Sequence, residues 1–196
     1  MKKSSIILIS IAAVVVLVFF WGMSVYNGLV SSQENVNSQW ANVESQYQRR
    51  ADLIPNLVST VKGYATHESS TLEGVVAARA KATQVTIDPA NLTPEKLQEY
   101  QAAQGQVSSA LGKLLMITEN YPDLKANQNF LELQAQLEGT ENRISVERTR
   151  FNETAQTYNK DIRRFPKNIL AGMFGFDKKP YFEAEKESKN APQVKF

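Results

Sequence analysis

Large residues recur at alternating steps of four and three along residues 36–64: Val36, Trp40, Val43, Tyr47, Arg50, Ile54, Leu57, Val61 and Tyr64. That spacing is the seam of a helix packed against other helices. Eight of the nine positions are apolar or aromatic, and the ninth, Arg50, sets a permanent cation in the stripe. Pro55 falls inside the same helix and predicts a kink near Ala51, whose carbonyl loses its N–H partner. Thr66 to Ser70 is a turn leading into a second helix, with several Ser or Thr residues placed to cap it. That helix runs to about Val85, with Leu72, Val75, Val76, Arg79 and Ala82 on one side. After a connection marked by Asp88-Pro89 and Asn91, Thr93-Pro94-Glu95 supplies a capping hydroxyl, a proline at the first helical position and an acid in the first turn. The third helix follows as Leu97, Tyr100, Gln104, Val107, Leu111, Leu114 and Thr118, ended by Tyr121-Pro122. The fourth is the most regular, with Phe130, Leu137, Ile144, Phe151, Tyr158 and Phe165 each seven apart. Thr140, Glu141, Glu147 and Arg148 make the middle of its seam partly polar, and Phe165-Pro166 stops it.

Ahead of these helices, Ile6 to Val25 is an uncharged run of 20 residues. At about 1.5 Å per residue it spans roughly 30 Å, the hydrocarbon thickness of a bilayer. Trp21 and Tyr26 stand where an aromatic belt sits. A cleaved signal has a shorter apolar core, about 7–15 residues, and a small-residue cleavage site, for which Gly22-Met23-Ser24 is a poor match. No strong helix breaker except Gly28 separates this run from the first soluble helix, so the two are expected to be continuous. The fold class expected is all-α: an N-terminal transmembrane helix continuing into an antiparallel up-and-down four-helix bundle with long first and last helices, the last covering about residues 127–164.

The divisions that follow are a short N-terminus at 1–5, an anchor at 6–25, a bundle at 26–166, a short apolar cap at 167–176 and a charged tail at 177–196. Nine of the last 20 residues are charged, and Tyr181-Phe182 interrupts them. An extended or disordered tail, docking through those aromatics, is the expectation.

Charge excludes more than it suggests. Lys and Arg number 22 against 20 Asp and Glu; without Lys2 and Lys3 the rest is balanced, so no basic surplus points to nucleic acid. Those two lysines flank the anchor, and no cation follows it until Arg49, which is expected to place the N-terminus in the cytoplasm and the bundle on the extracytoplasmic side of the membrane. Cysteine is absent, which removes disulfides, thiolate catalysis and a lipidated cysteine anchor. His67-Glu68 resembles the start of a zinc-protease helix, but the position expected to hold the second histidine is Thr71 and no other histidine exists. A catalytic zinc takes about three protein ligands. No metal, cofactor or catalytic residue is therefore assigned, and the pair is read as a helix start.

The structural and interface candidates are Arg50, Asp52, Pro55, Asn56, Glu141, Glu147, Arg148, Tyr181 and Phe182. Arg50 on a seam needs an acid, and Glu141 or Glu147 is placed to supply it across the bundle and set register. The alternative is that Arg50 faces a neighbouring copy or a partner. Asn56, Lys62 and Tyr64 lie near the kink, where a polar bundle end can hold a ligand, but no acid–base pair or nucleophile set assembles around them.

The strings YNGLVSSQENVNSQW, RRADLIPNLVSTVKGYATHESSTLEGVVAAR and QVSSALGKLLMITENYPDLKANQNFLELQAQLEGTENRISVERTRFNETAQTYN, then FP before GMFGF and YFEAE, resemble the LemA family of bacterial membrane proteins over nearly the whole chain. The resemblance implies an anchored up-and-down helical bundle and carries over no enzymatic activity. The expected function is a non-enzymatic, membrane-anchored scaffold of the cell envelope that assembles with its own copies. A second reading, an adaptor for a membrane quality-control protease or another envelope partner, comes from the resemblance and uses the tail as its docking element.

Overall fold

The computed structural model describes residues 3–65 and 67–183. Among them are six α-helices and one 3-10 turn: α1 (Lys3–Lys62), α2 (Ser69–Gln84), the turn at Pro89–Asn91, α3 (Pro94–Thr118), α4 (Pro122–Lys125), α5 (Gln128–Asp161) and α6 (Lys167–Phe174). No strand occurs among the described residues.

α1 is a single element of 60 residues, about 90 Å at an α-helical rise. Its first third is bare: Ile6 to Phe20 are all exposed, and this is the one described helix long and apolar enough to cross a membrane. Packing begins at Val25 and Leu29 and continues through Val36, Trp40, Val43, Tyr47, Arg50, Ile54, Leu57 and Val61, all buried. The seam ends differently from its pattern. α1 stops at Lys62, the Gly63-Tyr64 turn swings Tyr64 out to solvent, and Ala65 takes the buried place.

Residue pairs fix the directions of the helices. Along α1, Gln39, Arg50 and Tyr64 (just past its end) meet Glu147, Glu141 and Asn127, so α5 runs antiparallel to α1. Trp40 meets Tyr100 and Arg50 meets Gln104 and Ser108, so α3 runs with α1. Tyr121, just past α3, bonds Glu68, just before α2, so α2 returns between them. Four long helices thus alternate in direction. The two short helices, α4 and α6, finish opposite ends.

Local chemistry explains most boundaries. Thr93 Oγ1 accepts from Lys96 N–H and Pro94 sits at the first helical position of α3. Asn127 Oδ1 accepts from Phe130 N–H to open α5. Ser69 and Ser70 do not cap α2: its cap is Glu68, with no side-chain bond to the helix, and Thr66 lies outside the described residues. α3 ends at Thr118, and Pro122 starts α4 instead of terminating α3. α5 has 34 residues and ends at Asp161, before the seven-residue repeat reaches Phe165, which is 80% exposed. Phe130, Leu137, Ile144, Phe151 and Tyr158 are buried as the repeat requires. Val76 faces solvent, displaced from the stripe of Leu72, Val75 and Ala82.

The short pair, α2 and α3, cannot cover the whole of the long pair. At 16 and 25 residues they reach about 24 and 38 Å against about 51 Å for α5. The uncovered stretch of α1 and α5, from Val25 to Trp40 and from Phe151 to Ile162, is closed by α6, by the 85–92 connection and by residues 177–183.

Burial also sets the chemistry of Tyr158. Its phenol oxygen is buried with no hydrogen-bond partner among the described residues. Burial, reinforced by Asp177, pushes the phenol from 10.0 up to about 12. The unfolded chain therefore releases this proton near 10 while the folded chain holds it. Stability is complete below pH 10 and falls as pH rises from there to about 12. Alkaline unfolding followed by circular dichroism should show that decline, and Tyr158→Phe should reduce it at little cost at pH 7, because no bond is lost.

Candidate functional site

The most concentrated chemistry lies at mid-bundle, where two hydrophobic clusters meet. One contains Tyr47, Tyr100 and Ile144, the other Ile54, Val107 and Leu137. Between them Arg50 is 2% exposed. Its Nη1 donates to Ser108 Oγ at 2.7 Å and to Glu141 Oε2 at 2.8 Å. Its Nη2 donates to the carbonyl of Gln104 at 3.1 Å and to Gln104 Oε1 at 2.8 Å. The guanidinium lies over the Tyr47 ring, 5.2 Å from its centre. One side chain of α1 therefore ties α3 and α5 together. Burial drives the neighbouring Tyr100 phenol well above its ordinary value.

Pro55 completes the layer from one turn away. It removes the N–H that Ala51 carbonyl would accept, and Arg79 Nε of α2 donates to that oxygen at 2.7 Å. α1 runs through Pro55 without a break. The freed carbonyl becomes the anchor point for α2, so Arg50 and Arg79 between them join all four long helices. A crevice of about 120 Å³ opens beside them, lined by Glu44, Tyr47, Arg50, Arg79, Tyr100 and Gln104 among others.

The other candidates are placed elsewhere. Glu147 does not reach Arg50; it accepts from Gln39 Nε2 and Arg150 Nη1, both at 2.7 Å. Asp52 is exposed and accepts from Gln48 at 2.7 Å on its own helix. Asn56 is exposed, with its backbone carbonyl accepting from Thr60 Oγ1. Asn127 Nδ2 donates to Tyr64 Oη, so that tyrosine closes a bundle end instead of opening a ligand site. His67 is exposed, and no group of three His, Asp or Glu converges among the described residues.

The tail departs most from expectation. Residues 177–183 lie extended along α5, held by two asparagines. Asn159 Oδ1 accepts from Lys179 N–H at 2.9 Å while its Nδ2 donates to Lys179 carbonyl at 2.8 Å. Asn152 does the same for Phe182, at 2.8 and 3.0 Å. The two are seven residues apart on the helix, about 10.5 Å, and their partners are three apart on the strap, about 10 Å. The spacings match, so register follows from geometry. Phe182 is buried, stacked 5.8 Å from Trp40, edge-on to Phe151 at 5.4 Å and under the Arg148 guanidinium at 5.0 Å. Lys179 Nζ donates to the carbonyls of Pro89 and Ala90. Burial lowers its pKa. Of the two aromatics taken as a docking element for a partner, Phe182 is thus seated in the chain's own bundle, because α2 and α3 leave that part of the core uncovered, while Tyr181 stays exposed with its Oη accepting from Asn159 Nδ2 at 2.9 Å. Residues 184–196 of the expected tail lie outside the described residues, as does Lys2.

Arg79, Gln104, Ser108, Asn152, Asn159 and Lys179 were not among the candidates. Pro55 was a usable signal for one of them, since the carbonyl it frees demands a donor and Arg79 stands on the apolar side of α2.

This is a bundle of alternating helices with a charged clasp at its centre, led by a helix long and apolar enough to cross a membrane. A family model described as the LemA family matches residues 39–196, and the chain belongs to that family. Among curated relatives, Magnetosome protein MamQ 1 of Paramagnetospirillum magneticum is 27% identical over 186 residues, covering 86% of this chain and 68% of the relative. Magnetosome protein MamQ of Magnetospirillum gryphiswaldense is 28% identical over the same shares. Protein LemA of Metamycoplasma hominis is 25% identical over 74% of this chain and 63% of the relative.

Replacing Arg50 by Ala should cost about 1–3 kcal/mol in chemical denaturation, since it takes a partner from the buried amide of Gln104 while the half-exposed Glu141 carboxylate is solvated. Glu141→Gln should cost under about 1 kcal/mol: that carboxylate side chain is 52% exposed and Arg50 keeps its other partners. Arg79→Ala should cost about 1–3 kcal/mol with Pro55 present, and less in a Pro55→Ala background, where residue 55 again supplies an N–H to Ala51 carbonyl.

Proposed function

We propose that this chain is a non-enzymatic, single-pass scaffold of the bacterial cell envelope, anchored in the inner membrane by residues 6–25 and working as an assembly of its own copies. The observation that carries the reading is α1. One unbroken helix of 60 residues has a bare apolar third and two thirds clasped into a bundle. Anchor and body are one mechanical piece, which suits a part that holds position. Membership of the LemA family is consistent with a membrane-associated helical protein. The polar groups of the core bind one another, as Arg50 does with Gln104, Ser108 and Glu141. That favours a structural role over a catalytic one. With Phe182 occupied internally, nothing in the described tail favours the adaptor reading over the scaffold.

Native mass spectrometry of the full chain in mild detergent tests assembly: multiples of the chain mass are expected, and a strict monomer at all concentrations overturns it. Because the chain lacks cysteine, Val146→Cys on the exposed face of α5 provides a single label. A membrane-impermeant maleimide should modify it in intact spheroplasts. Modification only after permeabilisation would reverse the proposed orientation.

A further inference from the structure

α6 has apolar side chains on two sides. One side packs against α1: Ala171 is buried and Leu170 half-buried in the cluster that holds Val25, Leu29 and Ile162. Phe174 meets Tyr26 edge to face, ring centres 4.9 Å apart, and Phe176 meets the same ring at 5.8 Å. The other side is bare. Ile169 and Met173, one turn apart, are 54% and 72% exposed, and Phe174 is 56% exposed. Phe165, in the turn before the helix, adds a ring that is 80% exposed. Four large apolar residues left out within ten positions mark a surface that meets something apolar.

Position says what that is. Tyr26 immediately follows the uncharged run 6–25, so the contact with Phe174 holds α6 at the level where that run ends. α5 also ends in that part of the molecule, since Ile162 belongs to the same hydrophobic cluster as Val25, Leu29 and Ala171. In the sequence flanking these apolar residues the chain carries Lys160, Arg163, Arg164, Lys167 and Lys178 against Asp161 and Asp177, with Lys167 3.4 Å from Asp161. Apolar residues bordered by surplus cations are what a helix lying in the plane of an anionic lipid surface requires.

We propose that α6, with Phe165, is a second membrane contact: a short interfacial helix that sinks Phe165, Ile169, Met173 and Phe174 into the lipid surface beside the anchor, its flanking cations binding anionic headgroups. This rests on the reading of residues 6–25 as the bilayer span. A rod held at two places has its tilt set, where one held by a single helix can lean freely.

The test uses the full chain carrying one cysteine at a time, Val14→Cys, Met173→Cys or Val146→Cys, labelled with an environment-sensitive fluorophore. Each variant is reconstituted into phosphatidylethanolamine–phosphatidylglycerol vesicles with brominated acyl chains, after circular dichroism shows unchanged helicity. The labels at 14 and 173 should each lose roughly half their fluorescence or more, and the label at 146 none. Quenching at 14 without quenching at 173, repeated with Ile169→Cys, overturns the proposal and leaves the anchor standing. No quenching at 14 overturns the anchor reading and the proposal with it. Replacing phosphatidylglycerol by phosphatidylcholine, or introducing R163Q/R164Q/K167Q, should weaken quenching at 173 about twofold. Equal quenching throughout overturns the role given to the cations.

Discussion

Arg50 sits where a helical bundle would ordinarily place a leucine, and the bundle is arranged to accommodate it. Its donors are satisfied by a carboxylate, an amide, a hydroxyl and a backbone carbonyl drawn from α3 and α5. The energetic logic is asymmetric. Such a buried cation adds little over a well-packed apolar residue, but a register shift that removes its partners together leaves it unpaired at a cost of several kcal/mol. Apolar stripes alone tolerate sliding by a turn. A clasp of this kind does not, so it selects the one register in which Gln104, Ser108 and Glu141 all meet α1.

Pro55 extends the same principle to α2. A proline inside a helix creates a carbonyl without a partner. Here that vacancy is filled from another helix by Arg79. The defect in α1 is the attachment point of α2, and neither residue has its structural meaning without the other. Both arginines act at one level of the rod, and the two hydrophobic clusters extend from it in opposite directions.

Unequal helix lengths account for the remaining architecture. Where α2 and α3 run out, α1 and α5 still expose apolar seams, and the chain's last described segments close them. The strap at 177–183 does so with backbone bonded to Asn152 and Asn159 and with one ring, Phe182, set into the core. α6 closes the end beside the bare helix. A segment that composition marks as polar tail is, over its first seven residues, part of the packing.

By itself the sequence determined the all-helical class, the uncharged 20-residue run and the seams. Each of these depends on residues close together in the chain, where a 3.6-residue period or an unbroken apolar run needs no partner to be recognised. It also marked Arg50 as a seam charge in need of an acid. It did not separate Glu141 from Glu147, because a helix seam leaves positions nearly two turns apart equally plausible until axial register is known. Phe165 kept the seven-residue spacing yet fell outside the core, since spacing continues past the point where α5 ends. Only the tertiary structure decided that Arg79 would meet Ala51, that two asparagines seven apart would match a strap three residues apart, and that Phe182 would find Trp40. Those contacts join residues 20 to 142 positions apart. They exist only once helix lengths, directions and register have brought their partners together.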